Sequence, residues 1–311
     1  MKLIVHQILQ HGADVREIRL RDPLGQVLPA WHAGAHLRLQ LPVEQGDPLP
    51  RHYSLLGAEG AAQEYRIAVL HDPNTRGGSR WIHTELRAGA LLDVQGPFGS
   101  FPLQAGQGRT VLVAGGIGIT PMHAMAHALN ARGQDFELHY LARSAERLVL
   151  LDELRALPHA RLHLHLGATP PDLAALLGAH SAEASLHACG PLPLLNALRE
   201  RGAALGWPEQ ALHFESFGAR AASGDRPIRV HLALSGGSVE VQPGSTILDA
   251  LIAADAFVPY DCKRGECGQC HSRVLNGSPL HRDLCLSAAQ REQGLCICVG
   301  WASSAELTLE L

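Results

Sequence analysis

The sequence predicts a multidomain protein: an antiparallel β-barrel, then an α/β domain with a parallel sheet, then a small domain built around a cysteine loop. Three observations carry this. The chain has 311 residues, too many for one ordinary core. Short alternating runs in the first third give way to strand–helix alternation in the middle. Near the end, Cys262, Cys267 and Cys270 crowd into the stretch DCKRGECGQC, 261–270.

The first domain is read as 1–103. Runs such as AHLRLQLP and YRIAVLH alternate polar and apolar residues and are separated by turn-rich stretches such as EQGDPLP, the pattern of half-buried antiparallel strands. The second is read as 104–222. Here TVLVAGG, FELHYLA, RLHLHL and SLHACG read as buried strands, interleaved with helical patterns such as MHAMAHALNARG and PLLNALRERG. Such alternation implies a parallel sheet covered by helices. GARAASGDRP, 218–227, is small and polar with little to bury, and reads as a linker. The third domain, 226–311, opens with two strand-like runs, IRVHLAL and SVEVQPG, then a short helix, TILDALIAADA, before the cysteines.

Composition narrows the function. The hydrophobic fraction of 46% is that of a folded protein, and the net charge of −4 has mixed signs along the chain, so no basic face for nucleic acid is expected. No run of about 18 apolar residues predicts a membrane helix. The N-terminal run MKLIVHQILQ lacks a signal-peptide pattern, so a cytoplasmic chain is expected. Seven cysteines there point to metal or redox chemistry rather than disulfides. The 19 histidines are scattered, as in LHLHL, 162–166, and read as surface or core residues.

The spacing C-x4-C-x2-C lacks the second C-x2-C of a typical zinc site and instead matches plant-type [2Fe–2S] ligation, with a fourth cysteine much later. Gly265 and Gly268 would let the loop turn tightly and aim N–H groups at sulfur. A zinc knuckle or unligated thiols are the ordinary alternatives. Cys285, Cys296 and Cys298 compete for the fourth place. Cys285 lies in a helix-like stretch and reads as a small buried side chain. Cys296 and Cys298 lie in GLCICVGWA, read as a strand, where both would face one side and periodicity cannot separate them.

Other motifs concern anions. In VLVAGGIGITPM, 111–122, a strand runs into Gly115, Gly116 and Gly118, and Thr120–Pro121 reads as N-cap and first residue of a helix. A pyrophosphate suits that helix N-terminus. Cys189, Gly190 and Pro191 end another strand, where open α/β sheets bind ligands. In RHYSLLG, 51–57, alternation sends Arg51 and Tyr53 to one face and His52 and Ser54 to the other. RGGS, 76–79, offers Arg76, Gly77, Gly78 and Ser79 to an anion. Each alone fits an ordinary strand or turn.

Together they resemble the ferredoxin–NADP reductase superfamily. RHYS is similar to its R-x-Y-[S/T] flavin signature, GGIGITP to its pyridine-nucleotide loop and CGP to its nicotinamide-side motif. With the C-terminal cysteine loop, all 311 residues resemble the phthalate dioxygenase reductase and vanillate demethylase reductase family. The resemblance implies a flavin barrel, an NAD(P)-binding α/β domain and a β-grasp ferredoxin domain. It implies FMN rather than FAD, NADH, and a [2Fe–2S] cluster on Cys262, Cys267, Cys270 and Cys298, because CVGWA, 298–302, matches the closing segment of such domains. Tyr53 would lie against the flavin ring, Ser54 would bond near the hydride-accepting nitrogen, and Arg51, aided by 76–79, would neutralise the flavin phosphate. In HFESFG, 213–218, Ser216 or Phe217 would sit near the flavin, and Cys189 beside the nicotinamide. Arg143, where the family often has an acid, leaves NADPH open.

Electron counting gives the implied order. NADH delivers two electrons, the cluster takes one at a time, and a flavin can do both. The implied partner is a separate Rieske-type oxygenase, since no Rieske ligand pair occurs here. The alternatives are a cytochrome P450 or other acceptor and, remotely, a redox-sensing binding protein. A monomer is expected. Lys263, Arg264 and Glu266 read either as acceptor contacts or as a solvated loop.

Overall fold

A computed structural model describes residues 1–42, 48–72, 77–99, 101–104, 106, 108–217 and 224–311. The chain divides into two compact units, Met1–Phe214 and Glu215–Leu311.

The first unit begins with eight strands: β1 (Lys2–His11), β2 (Val15–Arg21), β3 (Leu28–Trp31), β4 (Ala35–Leu41), β5 (Leu49–Ser54), β6 (Gly60–Ala62), β7 (Tyr65–Leu70) and β8 (Leu91–Gly99), with helix α1 (Gly78–Thr84) between the last two. Six form one antiparallel sheet in the order β5-β4-β8-β1-β2-β7. A bridge between Leu55 and Ile67, just past β5 and within β7, joins its two edges and closes the barrel. Alternation explains the fill: Leu37, Leu39 and Leu41 on β4 are fully buried, as are Ile18 and Leu20 on β2.

A second sheet follows, of β9 (Thr110–Gly115), β10 (Phe136–Ala142), β11 (Ala160–Leu166) and β12 (Ser185–Cys189), which pair parallel, and β13 (Leu212–Glu215) at its edge. Helices α2 (Ile119–Ala131), α3 (Leu151–Arg155), α4 (Leu173–Leu177) and α5 (Leu192–Ala204) connect them. The sheet order is β11-β10-β9-β12-β13. The chain therefore steps outward from β9 in one direction, then returns to its other side at β12. The gap between β9 and β12 is the topological switch point, where the carboxyl ends of strands open a ligand crevice. One continuous core joins this sheet to the barrel, running from Leu3 and Val5 to Met122, Leu138 and Cys189.

The second unit contains β14 (Ile228–Leu232), β15 (Ser238–Val241), α6 (Ile247–Ala253), β16 (His271–Asn276), β17 (Pro279–Leu280), α7 (Ala288–Gln293), β18 (Gly294–Cys296), β19 (Trp301–Ala302) and β20 (Glu306–Leu309). Its main sheet runs β15-β14-β20-β16-β18, with β14 and β20 parallel, a β-grasp. Thr246 caps α6 by accepting from the Asp249 N–H at 2.9 Å.

Three readings need correction. Helix α2 begins at Ile119, because Gly116–Gly118 form a 3-10 turn that hands directly into it. Thr120 is thus inside the helix, donating its hydroxyl back to the Ile117 carbonyl at 3.0 Å, and Gly118 is the cap. Cys285 precedes α7, whose N-cap is Ser287 in a capping box with Gln290. The linker reading holds no further than the described residues allow: 218–223 lie outside them, while Asp225 pairs with Arg282 and the Arg226 carbonyl accepts from Trp301 Nε1 at 3.2 Å.

Candidate functional site

On the barrel, the pairing of β5 with β4 puts Tyr53 opposite Leu37 and Arg51 opposite Leu39, and Tyr53 packs on the core. Burial pushes the Tyr53 phenol well above its ordinary range, against the pull of Arg51. On the other face His52 stacks on His36 at 4.9 Å and accepts from Arg38 Nε at 3.1 Å. Ser54 is 4% exposed, and its hydroxyl has no hydrogen-bond partner within the protein. A buried hydroxyl without a partner costs about 1–3 kcal/mol, so a ligand atom is its natural complement. Gly78 lies against the Arg51 side chain so closely that an added Cβ would sit 2.6 Å from Nε. The glycine turn and Arg51 are therefore one cradle, as an anion site needs. Gly77 takes φ +88°, and the Ser79 hydroxyl is already engaged with the Asp72 main chain at 3.3 Å. Arg76 lies outside the described residues.

At the switch point the glycines serve a purpose that the sequence did not reveal. A Cβ on Gly118 would lie 2.1 Å from the Cys189 carbonyl oxygen, and one on Gly115 would lie 2.8 Å from Pro191 Cδ. Gly190 in turn would strike the Gly115 backbone at 3.1 Å. These three let the turns after β9 and β12 pack backbone to backbone. Gly116, at φ +58° with open space around it, is the glycine free to admit a ligand. Cys189 is fully buried at the end of β12, and Pro191 caps α5. Arg143 is exposed just past β10, whereas Arg147 is tied to Asp14 at 3.1 Å.

A charged cluster that sequence reasoning missed stands behind these turns. Glu17 on β2 accepts from Arg66 of β7 at 2.8 Å, and Arg66 forks onto Glu153 of α3 at 2.7 and 2.9 Å. Burial opposes ionisation of Glu17, but hydrogen bonds from His11, Arg66 and Arg19 hold its carboxyl down at about 2. His123 of α2 accepts from the Gly57 N–H at 3.1 Å, directly after RHYSLL. The group ties β2, β7 and the stretch after β5 to α2 and α3. Nothing in sequence spacing marks it, because its members come from six separate elements and loops.

In the second unit Cys262, Cys267 and Cys270 sit in a loop where Gly265 and Gly268 both take φ +73°. The Arg264 N–H points at Cys262 Sγ, 3.3 Å away. Cys298 meets Cys270 and the Gly265 N–H and lies close enough to Cys262 to feel its charge. Cys296 also meets Cys270 but turns toward Cys285, 3.7 Å from its sulfur. Strand β18 ends at Cys296 and a turn carries Cys298, so the two do not share a strand face as expected. The chemistry of the donor set fits an iron–sulfur cluster: four sulfurs and N–H groups aimed at them.

The loop charges are not solvated. Arg264 is 7% exposed and bridges Glu266 at 3.0 Å and Glu215 at 3.5 Å, while Glu266 accepts from the Ser216 N–H at 2.9 Å. Burial first, then the Glu266 charge, raises the Glu215 carboxyl to about 8 against the pull of Arg264. Ser216 is buried and Phe217 exposed. Lys263 pairs with Asp249 at 3.0 Å over the Tyr260 ring.

Residues 230–300 match the family model of the 2Fe-2S iron-sulfur cluster binding domain. Over 318 aligned positions, all of this chain and 97% of the relative, the sequence is 41% identical to phenoxybenzoate dioxygenase subunit beta of Ectopseudomonas oleovorans. It is 40% identical to the heme-dependent oxidative N-demethylase beta subunit of Ectopseudomonas mendocina, over 93% of this chain and 92% of the relative. The solved structure of phthalate dioxygenase reductase superposes with a TM-score of 0.76 at 34% identity, covering 100% of this chain and 98% of that one. The chain belongs to the phthalate dioxygenase reductase family. This reductase is an oxidoreductase that holds a [2Fe–2S] cluster, a flavin and NAD(H). No helix among its described residues is long and apolar enough to cross a membrane.

Proposed function

We propose that the reductase draws electrons from NADH and delivers them, through FMN and the [2Fe–2S] cluster, to a separate Rieske-type oxygenase. The observation that carries this is the presence in one chain of glycine-built turns where the strand order reverses between β9 and β12, and of three loop thiols met by a fourth, Cys298. When bound, the flavin accepts a hydride and releases electrons singly, and the cluster carries them one at a time. The chain supplies position and charge. Arg51 and the 76–79 turn hold the flavin phosphate; Tyr53 backs the ring; Ser54 donates its unpartnered hydroxyl to the ring edge; His52, Ser216 and Phe217 complete the pocket. Gly115, Gly116, Gly118 and Thr120 frame the pyrophosphate, and Cys189, Gly190 and Pro191 orient the nicotinamide. Cys262, Cys267, Cys270 and Cys298 ligate iron.

NADH over NADPH is supported by the ion pair that holds Arg147 at Asp14, which leaves Arg143 alone to attract a 2′-phosphate. In this reading the functional divisions are 1–103, 104–222 and 226–311, in a cytoplasmic monomer. A second acceptor, a haem oxygenase, is favoured by one observation: the relative named for a heme-dependent N-demethylase matches nearly as well as the dioxygenase relative.

The test is turnover of the cofactor-loaded protein. It should reduce ferricyanide and cytochrome c with NADH at a kcat/KM at least about tenfold that with NADPH. Failure to oxidise either nucleotide removes the reading, and reduction of a purified haem oxygenase but not a Rieske protein installs the second one.

A further inference from the structure

Parallel pairing of β10 with β11 aligns His139 opposite His163, with Glu137 two pairs earlier and His165 two pairs later on the same face. The rings of His139 and His163 stack at 4.5 Å, within 8° of parallel, and His139 Nδ1 lies 3.0 Å from His165 Nε2. His139 is 5% exposed, yet its Nε2 has no hydrogen-bond partner; nor does the buried Nε2 of His163. The nearest acid to that His139 nitrogen is Glu137 Oε2, 3.7 Å away. One ligand atom from each of Glu137, His139 and His163 lies within 4.8 Å of the others.

We propose that Glu137, His139 and His163 form a binding site for a zinc-class divalent cation, which staples the edge strand β11 to β10. Two imidazoles and a carboxylate are a donor set zinc accepts, and a water would complete the tetrahedron. With metal–ligand bonds of about 2.0–2.1 Å, the edges of a tetrahedron are about 3.4 Å, so the 3.7 Å gap between His139 and Glu137 needs little closure, and the larger adjustment is a turn of the His163 ring out of its parallel stack, because a bound ion lies in the plane of each imidazole. The surroundings are those of an outer shell. The His139 Nδ1–His165 Nε2 contact at 3.0 Å holds the ring, metal binding requires the tautomer in which Nδ1–H donates to His165 and Nε2 keeps its lone pair, and Arg109 orients Glu137 with bonds of 2.8 and 2.9 Å.

The other histidine–carboxylate group, His123, His127 and Glu153, lacks this property. There His123 Nδ1 already accepts from Gly57, so its proton sits on Nε2, the atom that faces Glu153 at 3.4 Å.

The experiment is a zinc titration of the full chain with flavin and cluster in place, by calorimetry. The expected result is one zinc per chain, with an X-ray absorption shell of nitrogen and oxygen alone at about 2.0–2.1 Å. Zinc should raise the melting temperature of the wild type but not of His163→Gln, and affinity should fall at least about tenfold in His163→Gln and in Glu137→Gln. Cys285→Ser, which removes the competing thiol beside Cys296, should bind zinc as tightly as the wild type. Absence of stoichiometric binding, equal affinity in His163→Gln, or sulfur at about 2.3 Å in the zinc shell would each overturn the proposal.

Discussion

Glycine builds both cofactor turns, yet it does different work in each. After β9 and β12, Gly115, Gly118 and Gly190 lack side chains because a neighbouring segment occupies the space a Cβ would need. In the cysteine loop, Gly268 faces almost nothing, its nearest neighbour being Cys285 Sγ at 3.8 Å; it is glycine because its own φ is +73°. The first kind of turn takes its shape from sheet packing and cannot relax without moving a strand. The second takes its shape at Gly268 from local dihedrals alone, whereas Gly265 beside it combines both demands, a φ of +73° and a Cβ position 2.5 Å from Val299 Cγ2.

The contrast can be broken most sharply at the sulfurs. Cys298→Ser should abolish the visible absorbance of the cluster, while Cys296→Ser should keep it; the opposite pattern in anaerobically purified protein would reassign the fourth ligand. Next in size is the glycine pair. Gly118→Ala drives a Cβ to 2.1 Å from a carbonyl oxygen and should cost about 3 kcal/mol or more, with slowed hydride transfer. Gly268→Ala should cost only about 1–2 kcal/mol, the strain of a left-handed backbone. Equal losses in chemical denaturation would erase the distinction.

The pH response of the first unit comes third. Burial lowers His187 to about 3 and His139 to about 4, so both stay neutral in the folded chain while the unfolded chain protonates near pH 6.5. The unfolded state then binds more protons below that pH, and stability falls on acidification. At pH 5 each should have lost about 2 kcal/mol relative to pH 7, read from urea unfolding followed by flavin fluorescence. Glu215 works the other way: its raised value of about 8 means that stability is lost as pH rises from the unfolded carboxylate range through 8. Stability of both units moving in the same direction with pH would contradict this. The smallest effect belongs to Ser54→Ala. It should leave the flavin-free protein within about 0.5 kcal/mol of wild type, or slightly more stable, because the hydroxyl has no protein partner to lose, and should slow hydride transfer about tenfold.

Much of this was legible in the chain. Strict alternation in AHLRLQL gives β4, and a threonine before an apolar helical run gives α6 its start. Cysteine spacing is readable because iron imposes it. What escaped the sequence depends on partners distant along the chain. Arg264 and Glu266 look solvated among glycines, yet Glu215, some fifty positions earlier, draws them inside. His139 and His163 look scattered until parallel register sets them side by side. Periodicity also overran its range at Cys298, because a two-residue repeat assumes a strand that stops at Cys296.

The unbroken apolar interior from the barrel into the neighbouring sheet, with the Arg66–Glu153 fork across it, bears on how such proteins can be recombined. A chimera that exchanges only the amino-terminal hundred residues would sever that interior and leave Arg66 or Glu153 facing a stranger. A crossover in the 218–223 stretch would keep that interior whole, but it would part Glu215 and Ser216 from Arg264 and Glu266, so these four residues would have to be exchanged together.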